Sequence, residues 1–277
     1  MATTSMQTHA HPVVPFGALL RAWRHRRRRS QLDLALDAEV SQRHLSFVES
    51  GRAAPSRDMI VRLAEQLDVP LRERNALLLA AGYAPLYPER PLDDPAMQAA
   101  RGMVDQILRA HLPHPALAVD RHWHMVAANA AIAPLMLGVE DGALLAPPVN
   151  VLRLSLHPRG LAPRIGNLPE WRAHLLERLR RQVATSADPA LVSLLGELAT
   201  FDVGPGCSAA VGMATTHPAS SIAVPLQLDT AQGRLSLIST TTVFGTPTEV
   251  TLSELAIEAF YPADDMTVER LKRLSRV

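Results

Sequence analysis

The stretch Ser30-Gln-Leu-Asp-Leu-Ala-Leu-Asp-Ala-Glu-Val-Ser-Gln-Arg-His-Leu-Ser-Phe-Val-Glu-Ser-Gly-Arg52 decides the reading of the first third of the chain. It holds two short apolar periods, each opened by a serine. Ser30 reads as an N-cap with Asp33 three residues on, able to return the hydrogen bond, so a helix runs over 31–37. Ser41 caps a second helix reaching about Ser50, with Leu45 and Val48 turned inward and Gly51 as its stop. Two short helices joined by a tight turn make a helix-turn-helix unit, and helices of this length stand only by sharing a core.

The flanking sequence supplies that core. Residues 16–28 predict a helix that buries Leu19, Leu20 and Trp23. Ser56 caps another that buries Ile60, Leu63, Ala64 and Leu67, and a fifth helix runs over 71–81 before Gly82 and Pro85. The second helix of the pair then exposes Gln42, Arg43, His44 and Ser46. These side chains suit base edges, since arginine bonds guanine bidentately, glutamine bonds adenine and serine serves either. Gln31 opens the first helix of the pair, where its amide and free helix N–H groups can hold a phosphate. The arginines at 24 and 26–29, with Arg27, Arg28 and Arg29 nearest the turn, and Arg52 beyond the second helix add attraction to the backbone without reading sequence. Glu49 reads as structural, paired with an arginine of the first helix such as Arg21, and Asp33 as a cap.

Composition fits this division. The chain has 277 residues, 47% of them hydrophobic and 20% charged, as expected of a folded protein of about two domains. The first 90 residues hold 13 basic side chains against nine acidic ones, the remainder 15 against 18, so the two parts differ in charge as well as pattern. One cysteine excludes an internal disulfide framework and a cysteine-built zinc site. With no long uncharged apolar run and no basic-then-apolar leader, the sequence predicts a cytoplasmic protein without a membrane span.

Residues 1–15, with His9 and His11, predict a flexible leader, 16–84 the helix-turn-helix domain, 85–95 a proline-rich linker and 96–277 a second domain. That domain reads as α/β: a helix over 96–110, a hairpin from 116–120 and 123–127, helices over 129–137, 150–156, 169–185 and 189–199, and late strands at 222–228 and 234–244 around Gly233. Pro225 suits an edge strand. Trp171, Leu175 and Leu179 point inward on the long helix, with Glu177 and Arg181 paired outside. No internal repeat is found.

The stretches Ser30-Gln-Leu-Asp-Leu-Ala, Val40-Ser-Gln-Arg-His-Leu-Ser-Phe-Val-Glu-Ser-Gly-Arg and Pro55-Ser-Arg closely resemble the lambda-repressor-like helix-turn-helix domain of bacterial xenobiotic-response-element-type regulators. Leu78-Leu-Ala-Ala-Gly-Tyr-Ala-Pro narrows the resemblance to the branch with an MmyB-like ligand-binding domain. In such proteins the residues matching Gln31, Gln42, Arg43 and Ser46 lie at the DNA face. Pro115-Ala-Leu-Ala-Val-Asp-Arg-His-Trp-His-Met-Val-Ala-Ala-Asn-Ala resembles the opening of that second domain. Asn150-Val-Leu-Arg-Leu-Ser-Leu-His-Pro-Arg-Gly resembles its middle, and Ser239-Thr-Thr-Thr-Val-Phe-Gly-Thr-Pro its last strand. The resemblance implies a PAS-like fold, an antiparallel sheet with helices on one side enclosing a pocket, and a long-chain fatty acid as the ligand class.

Residue reading alone gives Leu135, Met136, Leu152, Leu156, Leu175 and Phe244 as candidate lining positions. Arg153, His157 and Arg159 are the cations available for a carboxylate head group, with no choice among them. His122 and His124 share a strand face at which a metal pair is geometrically possible, but no third ligand follows at a diagnostic spacing, so they read as structural. Gly204-Pro-Gly-Cys-Ser lacks the lysine of a phosphate loop, Cys207 has no identifiable base and no nucleophile elbow occurs, so the chain does not read as an enzyme. The expectation is a homodimeric DNA-binding regulator with half-sites about 34 Å apart, needing no cofactor, whose partners are double-stranded DNA and a small apolar effector. The rival is a DNA-binding protein whose second domain is a ligand-free dimerisation or protein-interaction module.

Overall fold

The computed structural model describes residues 14–186, 188–201 and 224–274. Most of the leader with His9 and His11, Cys207 with its glycine-rich neighbours, and Ile222 lie outside the described residues. The contacts divide the chain into two units, the first extending to Glu89 and the second taking most of the chain from Arg90.

The first unit is helical: α1 Phe16–Arg26, α2 Gln31–Asp37, α3 Gln42–Glu49, α4 Arg57–Gln66 and α5 Leu71–Ala80. Ser30, Ser41 and Ser56 each accept a hydrogen bond from the backbone N–H three residues on, and Ser30 and Asp33 complete the reciprocal pair. The five apolar stripes meet in one core containing Leu20, Trp23, Leu34, Leu45, Val48, Ile60, Leu63 and Leu77. Gly17 allows α1 to reach the end of α3, because a Cβ there would stand 2.5 Å from the Glu49 carbonyl oxygen.

All five helices stop in the same way. The N–H two residues past each C-cap returns to a carbonyl five residues back, as in Arg29 to Arg24, Val40 to Ala35, Arg52 to Phe47, Val69 to Ala64 and Tyr83 to Leu78. The intervening residue is left-handed each time. Gly51 and Gly82 serve as expected, but Arg28 (φ 53°), Glu39 (φ 54°) and Asp68 (φ 45°) do so without a glycine, each at a steric cost of about 1–2 kcal/mol.

The second unit is a five-stranded antiparallel sheet with helices. In chain order it comprises α6 Gln98–Ala110, β1 Ala116–Val119, β2 Met125–Ala128, α7 Ala133–Met136, α8 Val151–Leu156, α9 Leu168–Ser186, α10 Pro189–Thr200, β3 Leu226–Thr230, β4 Gly233–Val243, α11 Val250–Ser253, β5 Ala256–Pro262 and α12 Asp265–Leu274. The sheet order is β2-β1-β5-β4-β3. Pro225 directly precedes the edge strand β3, where its missing N–H costs no ladder bond.

Four expectations change. The helix expected over 129–137 is only the four-residue α7, with Pro134 in its first turn. The stretch containing Phe244 belongs to the penultimate strand and its exit, because β5, unforeseen, follows and lies between β1 and β4. Glu177 pairs with Arg180 at 3.6 Å, not with Arg181. Helices also cover both faces of the sheet. Successive strand residues point to opposite faces, so Leu117, Val119, Leu235 and Leu237 join the large core with α7–α10 and α12. Ala116, Ala118, Ile257 and Ala259 pack with Val104 and Leu108 of α6.

Candidate nucleic-acid interface and ligand cavity

In α3 the buried Leu45 and Val48 fix the helix, leaving Gln42, Arg43 and His44 exposed and Ser46 half-exposed; Gln42, Arg43 and Ser46 share a row, and His44 stands to one side of it. The guanidinium groups of Arg43 and Arg52 lie 5.4 and 4.5 Å from the Phe47 ring, which steadies both long side chains beside the row. Arg52 Nε also donates to Ser50 Oγ at 2.9 Å.

Behind the row lies a buried network centred on Glu49. Arg24 Nε and Nη2 donate to its two carboxylate oxygens at 2.7 and 2.8 Å, and Gln31 Nε2 donates to Oε2 at 2.8 Å. Arg21 Nε stands 3.6 Å away. Burial pushes the Glu49 carboxyl up, but the bonds from Arg24 and Gln31 and the charges of Arg24 and Arg21 outweigh it and hold the pKa below the usual glutamate value. Glu49 is thus structural as expected, with Arg24 its main partner and Arg21 a lesser one.

The arginine run is correspondingly less free than its sequence suggests. Arg24 is buried in that pair. Arg27 donates to the carbonyls of Leu67 and Asp68, both at 2.8 Å, satisfying the C-terminal end of α4. Arg29 pairs with Asp37, and Arg26 lies 4.4 Å over the Trp23 ring. Arg28 is exposed on its left-handed turn. The Gln31 amide, expected at a phosphate, is instead committed inward to Glu49, which leaves the backbone N–H groups at the start of α2 as what remains of that expected clamp.

The second unit contains a cavity of about 100 Å³ between one sheet face and α7, α8 and α9. Of the candidate lining positions, Leu135, Met136, Leu152 and Leu175 lie at its wall, with Trp123, Met125, Trp171, Leu226, Leu228 and Phe260. Leu156 and Phe244 do not. Leu156 is fully buried in the packed core, and Phe244 packs toward α6 across the sheet.

None of the three expected cations lines the cavity. Arg153 makes a two-pronged bond to Glu197 at 2.6 and 2.7 Å, Arg159 pairs with Asp141 at 2.6 Å, and His157 lies edge-on to Phe201. The cation at the wall is Arg178 of α9, one helical turn from Leu175. It donates to the Glu258 oxygens at 2.9 and 2.5 Å and to Thr241 Oγ1 at 2.6 Å, and stacks 4.5 Å over the Trp123 ring. Glu258 sits in the sheet's central strand, opposite Leu117 on one side and Thr241 on the other. A buried carboxylate among apolar neighbours requires such a partner. Reading α9 by its apolar residues alone passed over Arg178, although a basic residue on an inward stripe and an acidic one in an apolar strand together signal a buried pair.

Among the described residues no helix is long and apolar enough to cross a membrane. Residues 15–77 match a family model for a helix-turn-helix domain, and residues 100–274 match that of the MmyB-like transcription regulator ligand binding domain. No curated protein matches the chain.

Proposed function

The chain belongs to the MmyB-like transcription regulators, matched over more than half its length, and from that premise we propose that its second domain binds a small apolar effector of the fatty-acid class. A DNA-binding helix-turn-helix domain joined to a ligand-binding domain is a ligand-responsive transcription regulator. The observation that carries the finer reading is the cavity, an apolar space whose lining carries one charged pair, Arg178 and Glu258. Pockets for small ligands have this composition, apolar walls with a few placed polar groups. We read the sheet with its cavity as PAS-like. Arg178, shared with Glu258, takes the polar end, and Leu135, Met136, Leu152 and Leu175 the chain.

At about 100 Å³ the cavity is smaller than the roughly 300–1,000 Å³ of pockets that hold drug-sized ligands. A long acyl chain therefore enters only by moving the short helices α7 and α8, with Met125 and Met136 as the adaptable side chains. A ligand that fits only the opened arrangement favours that arrangement, which is what regulation requires. In the first domain Gln42, Arg43, His44 and Ser46 read bases, while Arg28, Arg52 and the α2 N-terminus at Gln31 contact backbone phosphates of double-stranded DNA. The protein acts as a homodimer in the cytoplasm.

The test is native against denaturing mass spectrometry of the purified full-length protein, with extraction and identification of any released molecule, followed by thermal unfolding across a fatty-acid panel. At 100-fold excess over Kd a ligand adds about 2.7 kcal/mol, a rise of about 5–11 °C for a domain of this size. Filling the cavity with Leu175→Trp removes that rise. An empty protein that no member of the panel stabilises overturns the reading in favour of a ligand-free dimerisation or interaction module.

A further inference from the structure

A second polar cluster lies on the β1–β2 hairpin. Asp120 Oδ1 accepts from the backbone N–H of both His122 and His124 at 2.8 Å, which turns Oδ2 toward His124 Nδ1 at 3.2 Å. The third ligand type missing from the linear spacing thus comes from two residues before the first histidine. Asp120, His122 and His124 each bring one donor atom within 4.8 Å of the other two, and all three side chains are half-exposed.

The loop is fixed before anything binds. Trp123, between the histidines, takes a left-handed backbone (φ 68°) and buries its indole. Its Nε1 donates to Gln182 Oε1 at 2.8 Å, and Gln182 Nε2 donates to the Arg121 carbonyl at 2.9 Å, so α9 holds the loop at two points. Asn150 Nδ2 holds the His122 carbonyl at 2.9 Å. His122 Nε2 stands 2.9 Å from Asp188 Oδ2, the carboxylate-to-imidazole contact that orients metal-binding histidines. The nearby positive charge, Arg121, faces Asp188 and Glu254 at 3.6 and 3.7 Å, which offset it.

We propose that Asp120, His122 and His124 form a site for a borderline-soft divalent cation, zinc first, oriented by Asp188. Two imidazoles and one carboxylate favour zinc over magnesium or calcium, which prefer all-oxygen shells. Metal–ligand bonds of about 2.0–2.2 Å place neighbouring donors around a tetrahedron roughly 3.4 Å apart, so small side-chain rotations close the present spacing. Three protein ligands leave the fourth position to water. Because Trp123 also lines the cavity, an occupied site pins that wall. The metal assignment itself does not rest on what the cavity holds.

The experiment is titration of chelator-stripped full-length protein with zinc against a chromophoric competitor, with cobalt substitution as the spectroscopic readout. One equivalent binds, and cobalt gives the intense visible bands of a tetrahedral nitrogen–oxygen site. His122→Asn with His124→Asn abolishes both signals while circular dichroism stays unchanged. Asp188→Asn weakens zinc about 10–100-fold. His9→Ala with His11→Ala changes neither. Absence of stoichiometric binding, binding that survives in the His122/His124 double variant, or binding that follows His9 and His11 overturns the proposal. Should the double variant unfold, Asp120→Asn with the Asp188→Asn series decides by the same readouts.

Discussion

Replacing Glu49 by glutamine keeps the shape of the side chain and removes its charge. Glu49 and Arg24 are 4% and 7% exposed, and the pair is joined by bonds of 2.7 and 2.8 Å. Glu49→Gln leaves the Arg24 guanidinium buried without a counter-charge, which costs about 3–5 kcal/mol. At ~0.05–0.15 kcal/mol per residue, a helical domain of this size has only roughly 4–11 kcal/mol to lose. The expected shift in its unfolding midpoint is about 12–40 °C, read by hydrogen exchange in α1, α3 and α4 so that the second domain does not mask it. The double variant Arg24→Met with Glu49→Leu removes both charges from the same space and recovers most of the loss, because apolar replacement of a buried pair is often neutral or better. If the double variant is as unstable as Glu49→Gln, the cost does not arise from the orphaned charge and the reasoning fails.

Other outcomes follow from the same geometry. The bonds that hold the Glu49 pKa low in the folded state add stability that is complete above the ordinary glutamate range and is lost as pH falls through the folded value. Acid unfolding of the first domain therefore flattens in Glu49→Gln, as a pH series of urea titrations will show. Gly17→Ala, with its new methyl 2.5 Å from the Glu49 carbonyl oxygen, loses about 1–3 kcal/mol in the same titrations. Glu39→Gly relieves the left-handed strain at φ 54° and raises the first domain's stability by up to about 1 kcal/mol. Arg43→Ala and Gln42→Ala each weaken binding to a selected operator by about 1–3 kcal/mol while sparing random DNA, and a gel-shift titration showing equal loss on both rejects their assignment as base readers. Arg178→Met abolishes the thermal gain from a fatty acid, whereas Arg153→Met, on α8 but turned to Glu197 and not among the lining side chains, leaves it intact.

The first domain was legible because its information is local. Three serine caps and five apolar stripes lie in short windows, and the structure reproduces their boundaries to within a few residues. What escaped was the means of stopping: Arg28, Glu39 and Asp68 adopt a conformation that sequence reading expects of glycine. In the second domain β5 escaped because Glu258 interrupts an otherwise apolar strand, and its reason for being there, Arg178, lies 80 residues away. The cavity's apolar wall could be read from helical spacing at Leu135, Met136, Leu152 and Leu175, but its polar end could not. Spacing shows which residues share a face, whereas the commitment of Arg153 to Glu197 and of Arg159 to Asp141 depends on partners that only the fold brings together.

The three tryptophans divide the chain into optical compartments. Trp23 lies in the first domain's core beneath Arg26, while Trp123 and Trp171 line the cavity. A conjugated polyene acid seated there would sit against two energy donors, quenching their emission in proportion to occupancy. The protein thus carries its own fluorimeter, able to follow filling of the cavity without a label and, in the Trp23→Phe variant, without background from the DNA-binding half.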